Sequence, residues 1–388
     1  MKRYISAFII TLILGVGSVY GSVLQSYNIN GVVIDSRSRE PIAFATIAIF
    51  GTNRFTTSDS NGSFVFTNVT PGVYRLTASL LGYNQYISQE YMLSASGLFV
   101  RIELEQTSFL LDGVTVRPKV NPFVRLPETP LSQRNLGVQE IERNPGSNRD
   151  ISRVVSSLPG VSGVFTGGYR NDIIVRGGGP SENKFYFDGI EIPTINHFST
   201  QGASGGPVGI VDADLIREVN FYSGTFPVNR SSALSSILDI RVKDGDPLNR
   251  SYKFTVGASE AGISSSGYID DKTTYIFSAR RSYLQFLFKV LDLPFLPTYT
   301  DFQFKIKRDL GNRRELTLLG IAGVDRMELN ESAGVDDPTN EYILSFLPTI
   351  EQEVFTVGAV YRYFYSNNTL SLFLSHSYLN NRNTKFLN

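Results

Sequence analysis

Beyond residue 245, apolar and polar side chains alternate with a period of two. Tyr252, Phe254 and Val256 interleave with Ser251, Lys253 and Thr255. Phe302, Phe304 and Ile306 interleave with Asp301, Gln303, Lys305 and Lys307. Phe355, Val357, Ala359, Tyr361 and Tyr363 alternate with Thr356, Gly358, Val360 and Arg362, and Leu370, Leu372 and Leu374 with Ser371, Phe373 and Ser375. A period of two predicts β-strands that turn one face to an apolar medium and the other to a polar one. Turn residues at Asp270–Lys272, Asp309–Asn312 and Ser366–Asn368 predict short connections, with longer ones near 283–299 and 326–352. The first hairpin, near Ser259–Ala261, breaks this alternation because its connection is short. About seven strands fit before Asn388.

Upstream the pattern changes. Between 26 and 106, short β-prone runs at Ile29–Ile34, Ala43–Phe50, Ser63–Phe66, Gly72–Ser79 and Leu98–Leu104 are separated by Asp35-Ser36, Asp59-Ser60-Asn61-Gly62 and Pro71-Gly72. Strands at this spacing predict a small β-sandwich. Residues 107–135 contain Pro118, Pro122, Pro127 and Pro130, which predict an extended linker. Ile151, Val154, Val155 and Leu158 recur at helical spacing before Pro159-Gly160 stops the helix. Phe185, Phe187, Ile190 and Ile192 alternate around Asp188-Gly189, the signature of a hairpin.

At the N-terminus, Lys2 and Arg3 precede an apolar run from Ile5 to about Val16, and Val19-Tyr20-Gly21 offers small residues before Ser22. This is the pattern of a cleaved export signal over 1–21. The run is shorter than the roughly 20 residues a spanning helix needs, so any crossing of a bilayer by this chain falls to a β-barrel.

Composition narrows the function classes. The formal net charge is zero, so no field attracts a polyanion and nucleic acid is not expected as a partner. With no cysteine, the chain has no thiolate metal site and no thiol nucleophile. Only two histidines are present, His197 and His376, and they are far apart without a paired ligand motif. No catalytic residues, metal or cofactor are expected. Tyr283, Tyr299, Tyr361, Tyr363, Phe364 and Tyr365 stand near predicted strand ends, where an interfacial aromatic girdle belongs.

Two ordered sets of motifs resemble known families. Gly31-Val32-Val33-Ile34-Asp35, Pro41-Ile42-Ala43, Asn61-Gly62-Ser63-Phe64, Pro71-Gly72-Val73-Tyr74 and Leu81-Gly82-Tyr83 resemble the carboxypeptidase-regulatory-like domain. Ile151–Gly160, Asp172–Gly179, Asn183–Pro193, Ile216–Gly224 and Ser235–Ile240 resemble, in order, the plug domain of TonB-dependent outer-membrane receptors. The resemblance implies a mainly β chain with a β-sandwich over 26–106 and an α+β plug over 136–244. The first strands of an antiparallel transmembrane β-barrel follow over 245–388. Related barrels use roughly 22 strands, so the resemblance implies a fragment or a shortened gene.

The resemblance also implies roles. Leu111, Asp112, Val114 and Val116 look like the TonB box, a short strand that pairs with the inner-membrane TonB energy transducer. Arg176, Gly177, Asp188 and Gly189 are expected to hold the plug's shape and seat it in a polar lumen. The loop Asn196–Pro207 supplies the ligand-contact candidates His197, Phe198 and Gln201; packing of the same loop between plug and barrel wall is the alternative for these residues. The expected function is TonB-driven uptake across the outer membrane of a Gram-negative cell, with membrane lipid around the barrel. A substrate-binding surface lipoprotein is a further candidate partner. Ferric chelates, glycans, vitamins and peptides all fit as substrates, and the Asp188-Gly189 hairpin departs from the starch-utilisation pattern. A non-transporting surface or secreted β-protein is the alternative.

Overall fold

The computed structural model describes residues 26–93, 97–107, 132–144, 146–147, 149–164, 171–199, 206, 208–230, 233–257, 259–334, 338–365 and 368–385. The export signal, the Leu111–Val116 run and Gln201 lie outside the described residues.

The first unit is built from β1 (Tyr27–Asp35), β2 (Thr46–Ile49), β3 (Phe55–Thr57), β4 (Ser63–Val69), β5 (Gly72–Tyr74), β6 (Leu76–Ser79), β7 (Tyr86–Ile87), β8 (Tyr91–Leu93) and β9 (Leu98–Leu104). The sheet β4-β1-β9 faces the sheet β3-β2-β6-β7. Their inward positions bury Ile29, Val33, Ile47, Ile49, Leu76, Val100 and Ile102 in one cluster. The run predicted as one strand over 72–79 breaks into β5 and β6, which join different sheets. Gly31 of β1 lies between Phe64 of β4 and Val100 of β9, its partners within the same sheet. A Cβ there would lie 2.3 Å from both the Phe64 ring and the Val100 carbonyl oxygen.

The second unit combines α1 (Val138–Arg143) and α2 (Ile151–Ser156) with β10 (Gln133–Gly137), β11 (Val161–Val164), β12 (Asp172–Val175), β13 (Lys184–Phe187), β14 (Ile190–Ile192), β15 (Ile216–Tyr222) and β16 (Ile237–Val242). Asp150 caps α2 by accepting from the Ser152 amide at 2.8 Å. The helical spacing read from the sequence buries Ile151, Val154, Val155 and Leu158 beside the β11–β12 pair, in one core cluster with the five-stranded sheet β10-β15-β16-β13-β14.

The third unit is a single antiparallel sheet in sequence order: β17 (Ser251–Val256), β18 (Glu260–Asp270), β19 (Thr273–Ser282), β20 (Phe295–Gly311), β21 (Arg314–Leu329), β22 (Thr349–Tyr365) and β23 (Asn368–Thr384). The predicted alternation holds along β20, β21 and β22, while the edge strand β23 is exposed on both faces. One face exposes Phe254 (76%), Leu318 (42%) and Val357 (49%), while the other buries Gln303 and Thr356 (both 0%) against the second unit. The tight β20–β21 turn rests on Asn312 and Arg313, both at positive φ (51° and 60°), as a two-residue primed hairpin turn demands. At the opposite end the connections carry α3 (Leu284–Val290) and α4 (Pro338–Phe346). Those connections are shorter than predicted, because Phe295–Tyr299 and Arg326–Leu329 continue the β20–β21 ladder.

Two girdle candidates are corrected. Tyr299 is completely buried on the inner face, stacked on His197. Phe364 also turns inward, beneath the Arg39 guanidinium at 4.4 Å. Each falls on the polar parity of its strand, which overrides aromatic character. Tyr363 and Tyr365 stack on each other and stay exposed.

Candidate functional site

The chemistry of this chain is concentrated at the seam between the second unit and the inner face of the seven-stranded wall. After β14 the chain forms a narrow ribbon in which the His197 amide donates to the Val208 carbonyl and the Ile210 amide to that of Ile195, both at 2.8 Å. Ser152 of α2 braces the ribbon by donating to Asn196 at 2.9 Å. The wall meets it with the inward side chains of β19, β20 and β21.

His197 is fully buried there. Its Nδ1 lies 2.5 Å from Asp325 of β21 and its Nε2 3.2 Å from Asp301 of β20. The Phe198 amide donates to the other Asp325 oxygen at 2.7 Å. An imidazole with both nitrogens facing carboxylates is satisfied only when both are protonated. Burial opposes that charge, but the Asp325 and Asp301 carboxylates outweigh it and raise the His197 pKa to about 9. The Tyr299 ring stacks on the imidazole at 4.3 Å and donates its hydroxyl to Glu260 at 2.6 Å.

Around this pair the wall continues to grip the ribbon. Arg280 donates to the carbonyls of Gly209 and Ile210 at 2.9 and 2.7 Å, and pairs with Asp301 at 3.0 Å. Gln303 donates to the Ile210 carbonyl at 2.7 Å and accepts from the Asp212 amide at 3.1 Å. Lower on β20, Lys305 bridges Asp188 (2.7 Å) and Asp244 (2.6 Å), and Lys307 reaches Asp244 at 3.0 Å.

The sequence candidates divide accordingly. Asp188 stands at φ +48° in the β13–β14 turn, accepts from the Val242 amide at 3.1 Å and meets Lys305. Gly189 follows at φ +93°, where a Cβ would sit 3.0 Å from the Phe373 ring of the wall. Arg176 and Gly177 form the exposed turn after β12, both at positive φ, and the Arg176 amide donates to the Gly160 carbonyl at 2.9 Å. His197 and Phe198, expected at a ligand-facing surface, are instead buried in the seam (0% and 8% exposed). The inward carboxylates of β20 and β21 draw the loop onto the wall. Among the described residues, no group of three or more acidic, histidine or cysteine side chains is arranged to hold a metal ion.

The comparisons with known proteins bear on the same two units. The family model described as carboxypeptidase regulatory-like domain matches residues 28–104. The TonB-dependent receptor plug domain matches residues 125–234, which includes the hairpin and the whole ribbon. The chain carries a TonB-dependent receptor plug domain. No curated protein matches it.

Solved structures similar to this chain include the siderophore receptor PirA from Pseudomonas aeruginosa (14% identity, TM-score 0.45, 66% of this chain and 42% of that one). Another is the ferric enterobactin receptor PfeA in complex with BCV-L6 (15%, TM-score 0.45, 65% and 42%). A third is the outer membrane transporter YddB from Escherichia coli (14%, TM-score 0.45, 63% and 38%). The chain thus spans about two-fifths of the length of these proteins.

The residues that the sequence reading did not single out as seam residues are Glu260, Arg280, Asp301, Gln303, Lys305 and Asp325. Their signal was present: each falls on the polar parity of its strand. What the sequence lacked was the register that brings Asp301 and Asp325 to one histidine more than a hundred residues upstream.

Proposed function

We propose that this receptor is an energy-driven importer of the Gram-negative outer membrane, reached by a cleaved export signal over 1–21. The observation that carries this reading is the division of the wall into an apolar outer face and a charged inner face bound to the plug. Exposed rows such as Tyr252, Phe254 and Val256, or Phe355 and Val357, suit hydrocarbon and would be costly in water. The inner rows suit a hydrated lumen filled by a plug.

In this reading, residues 26–106 form an accessory domain, 107–135 the linker, 136–244 the plug and 245–388 the start of the barrel. A ligand binds from outside, where the loop containing Gln201 is the candidate contact. TonB then pairs with Leu111, Asp112, Val114 and Val116 below and pulls. His197 and Phe198 act as seam residues, while Arg176, Gly177, Asp188 and Gly189 shape the plug.

A polar seam suits such movement. Each hydrogen bond exchanged for water costs only about 0.5–1.5 kcal/mol net, so a pulled plug can part from the wall stepwise. The substrate class stays open among ferric chelates, glycans, vitamins and peptides, with a surface lipoprotein as a candidate partner. No bond chemistry is required of the chain.

The reading is tested without a substrate. A photo-crosslinking residue at Val114, in cells carrying the receptor, should capture TonB from the periplasmic side, and one at exposed Leu81 should not. A receptor found in the soluble periplasmic fraction, or equal capture at both positions, would overturn it.

A further inference from the structure

The β-sandwich is seated on the plug and on the end of the wall that bears the two-residue turns. Arg39 of the β1–β2 turn pairs with Glu103 of its own unit at 2.6 Å and with Glu315 of β21, and it covers the Phe364 ring. Arg101 of β9 reaches the same Glu315 at 3.3 Å. On the other side, Glu90 accepts from the Gln139 amide of plug helix α1 at 3.3 Å. The Arg39 turn is built for this contact. Asp35 accepts from the amides of Arg37 and Ser38 at 2.8 Å each, and Gln106 and Tyr83 hold its second oxygen. That turn holds Arg39 at φ +62°, a left-handed conformation that costs a non-glycine residue energy. An arginine there brings its guanidinium to a partner that a glycine would forgo.

Between the three units lies a cavity of about 540 Å³. Arg101 and Glu90 line it from the sandwich, Arg217 and Asp244 from the plug, and Lys253 and Ser264 from the inner wall. It therefore occupies the space between plug and wall, and the sandwich forms its floor.

We infer that the sandwich is a gate, latched by Arg39 onto Glu315 and Phe364, that closes the exit end of the plug–wall passage and must unlatch before cargo leaves. The direction of exit rests on the importer reading, in which short turns face the periplasm. The latch itself does not. Glu315 is shared: Lys307 lies 3.6 Å from it and 3.0 Å from plug residue Asp244. When the plug withdraws Asp244, Lys307 is left to Glu315 and competes with Arg39. Movement of the plug thus loosens the gate through the wall strand that carries Lys307.

The absence of cysteine gives a clean reporter. With Ser264→Cys in the full chain, in outer-membrane sheets open to solvent on the periplasmic side, a bulky maleimide should react slowly. Arg39→Gly removes the guanidinium while relaxing the turn, and Glu315→Gln weakens the latch from the wall side. Each should speed labelling about tenfold, as expected for a partly buried ion pair that loses one partner. Equal rates in all three proteins overturn the proposal: uniformly fast labelling means the sandwich does not cover the cavity, and uniformly slow labelling means Arg39 does not hold it. The measurement needs neither TonB nor a substrate, so failure of the Val114 capture leaves its outcome unaffected.

Discussion

His197 of the plug and Asp325 of the wall stand 2.5 Å apart in a site without solvent exposure, and the histidine is charged because the carboxylates around it outweigh its burial. Its pKa of about 9 in the folded state lies above its ordinary 6.5. The stabilisation it brings is therefore complete below pH 6.5 and is lost as pH rises through about 9. Urea titrations of plug release should show a seam weaker at the upper end of that window by about 1–3 kcal/mol. His197→Gln should lower stability at both ends and flatten the dependence between them. A variant that keeps the full pH slope would assign it to other groups.

Asp188 works differently, through both backbone and charge. Asp188→Asn keeps a residue tolerant of positive φ and an acceptor for the Val242 amide, and loses only the charge that meets Lys305. Because Asp244 still neutralises Lys305, the loss should be about 1–3 kcal/mol, below that of a fully orphaned buried ion. Asp188→Ala removes the acceptor as well and places a poor residue at φ +48°, which should add about another 1–2 kcal/mol. Chemical unfolding of the two variants side by side checks the order. Equal losses would mean that the turn conformation contributes nothing.

How far the sequence carried the fold follows from which forces are local. The parity of Phe302, Gln303, Phe304 and Lys305 was legible because a strand's two faces meet two different media, and each residue reports its own medium. The turns at Asp188-Gly189 and Asp309–Asn312 were legible because their constraints are satisfied within a few residues. Tyr299 was misplaced because an aromatic near a strand end suits a membrane interface, whereas its parity turns it inward onto His197. The partners that bury His197 were not legible, because they depend on Asp301 and Asp325 converging through the register of two wall strands. The seating of Arg39 on Glu315 depends likewise on a contact across 276 residues.

The wall also makes room for the plug by omission. At Gly358 of β22, an added Cβ would fall 2.0 Å from the Ile190 Cδ1 of the plug hairpin. Gly358→Ala should therefore force Ile190 out of its seat and loosen the plug by about 1–3 kcal/mol. Ile190→Val, which withdraws that methyl, should recover much of the loss in the double variant. The sum of the two single effects, measured by urea-induced plug release, should exceed the effect of the pair. Simple additivity would show that the two residues do not share one space.

The outer face offers a test of the medium around the wall. Leu318 and Thr317 are neighbours on β21 that point to opposite sides, Leu318 outward and 42% exposed, Thr317 buried against the plug. In water, an arginine at an exposed strand position changes stability little, within about 0.5 kcal/mol. In hydrocarbon, the same substitution costs about 2–4 kcal/mol near the bilayer midplane. Leu318→Arg should accordingly impair folding into lipid vesicles by that larger amount, while Thr317→Val, which replaces a hydroxyl with a methyl of similar size, should cost less. A Leu318→Arg chain that folds and inserts as well as the parent would remove lipid from the outer face and with it the importer reading.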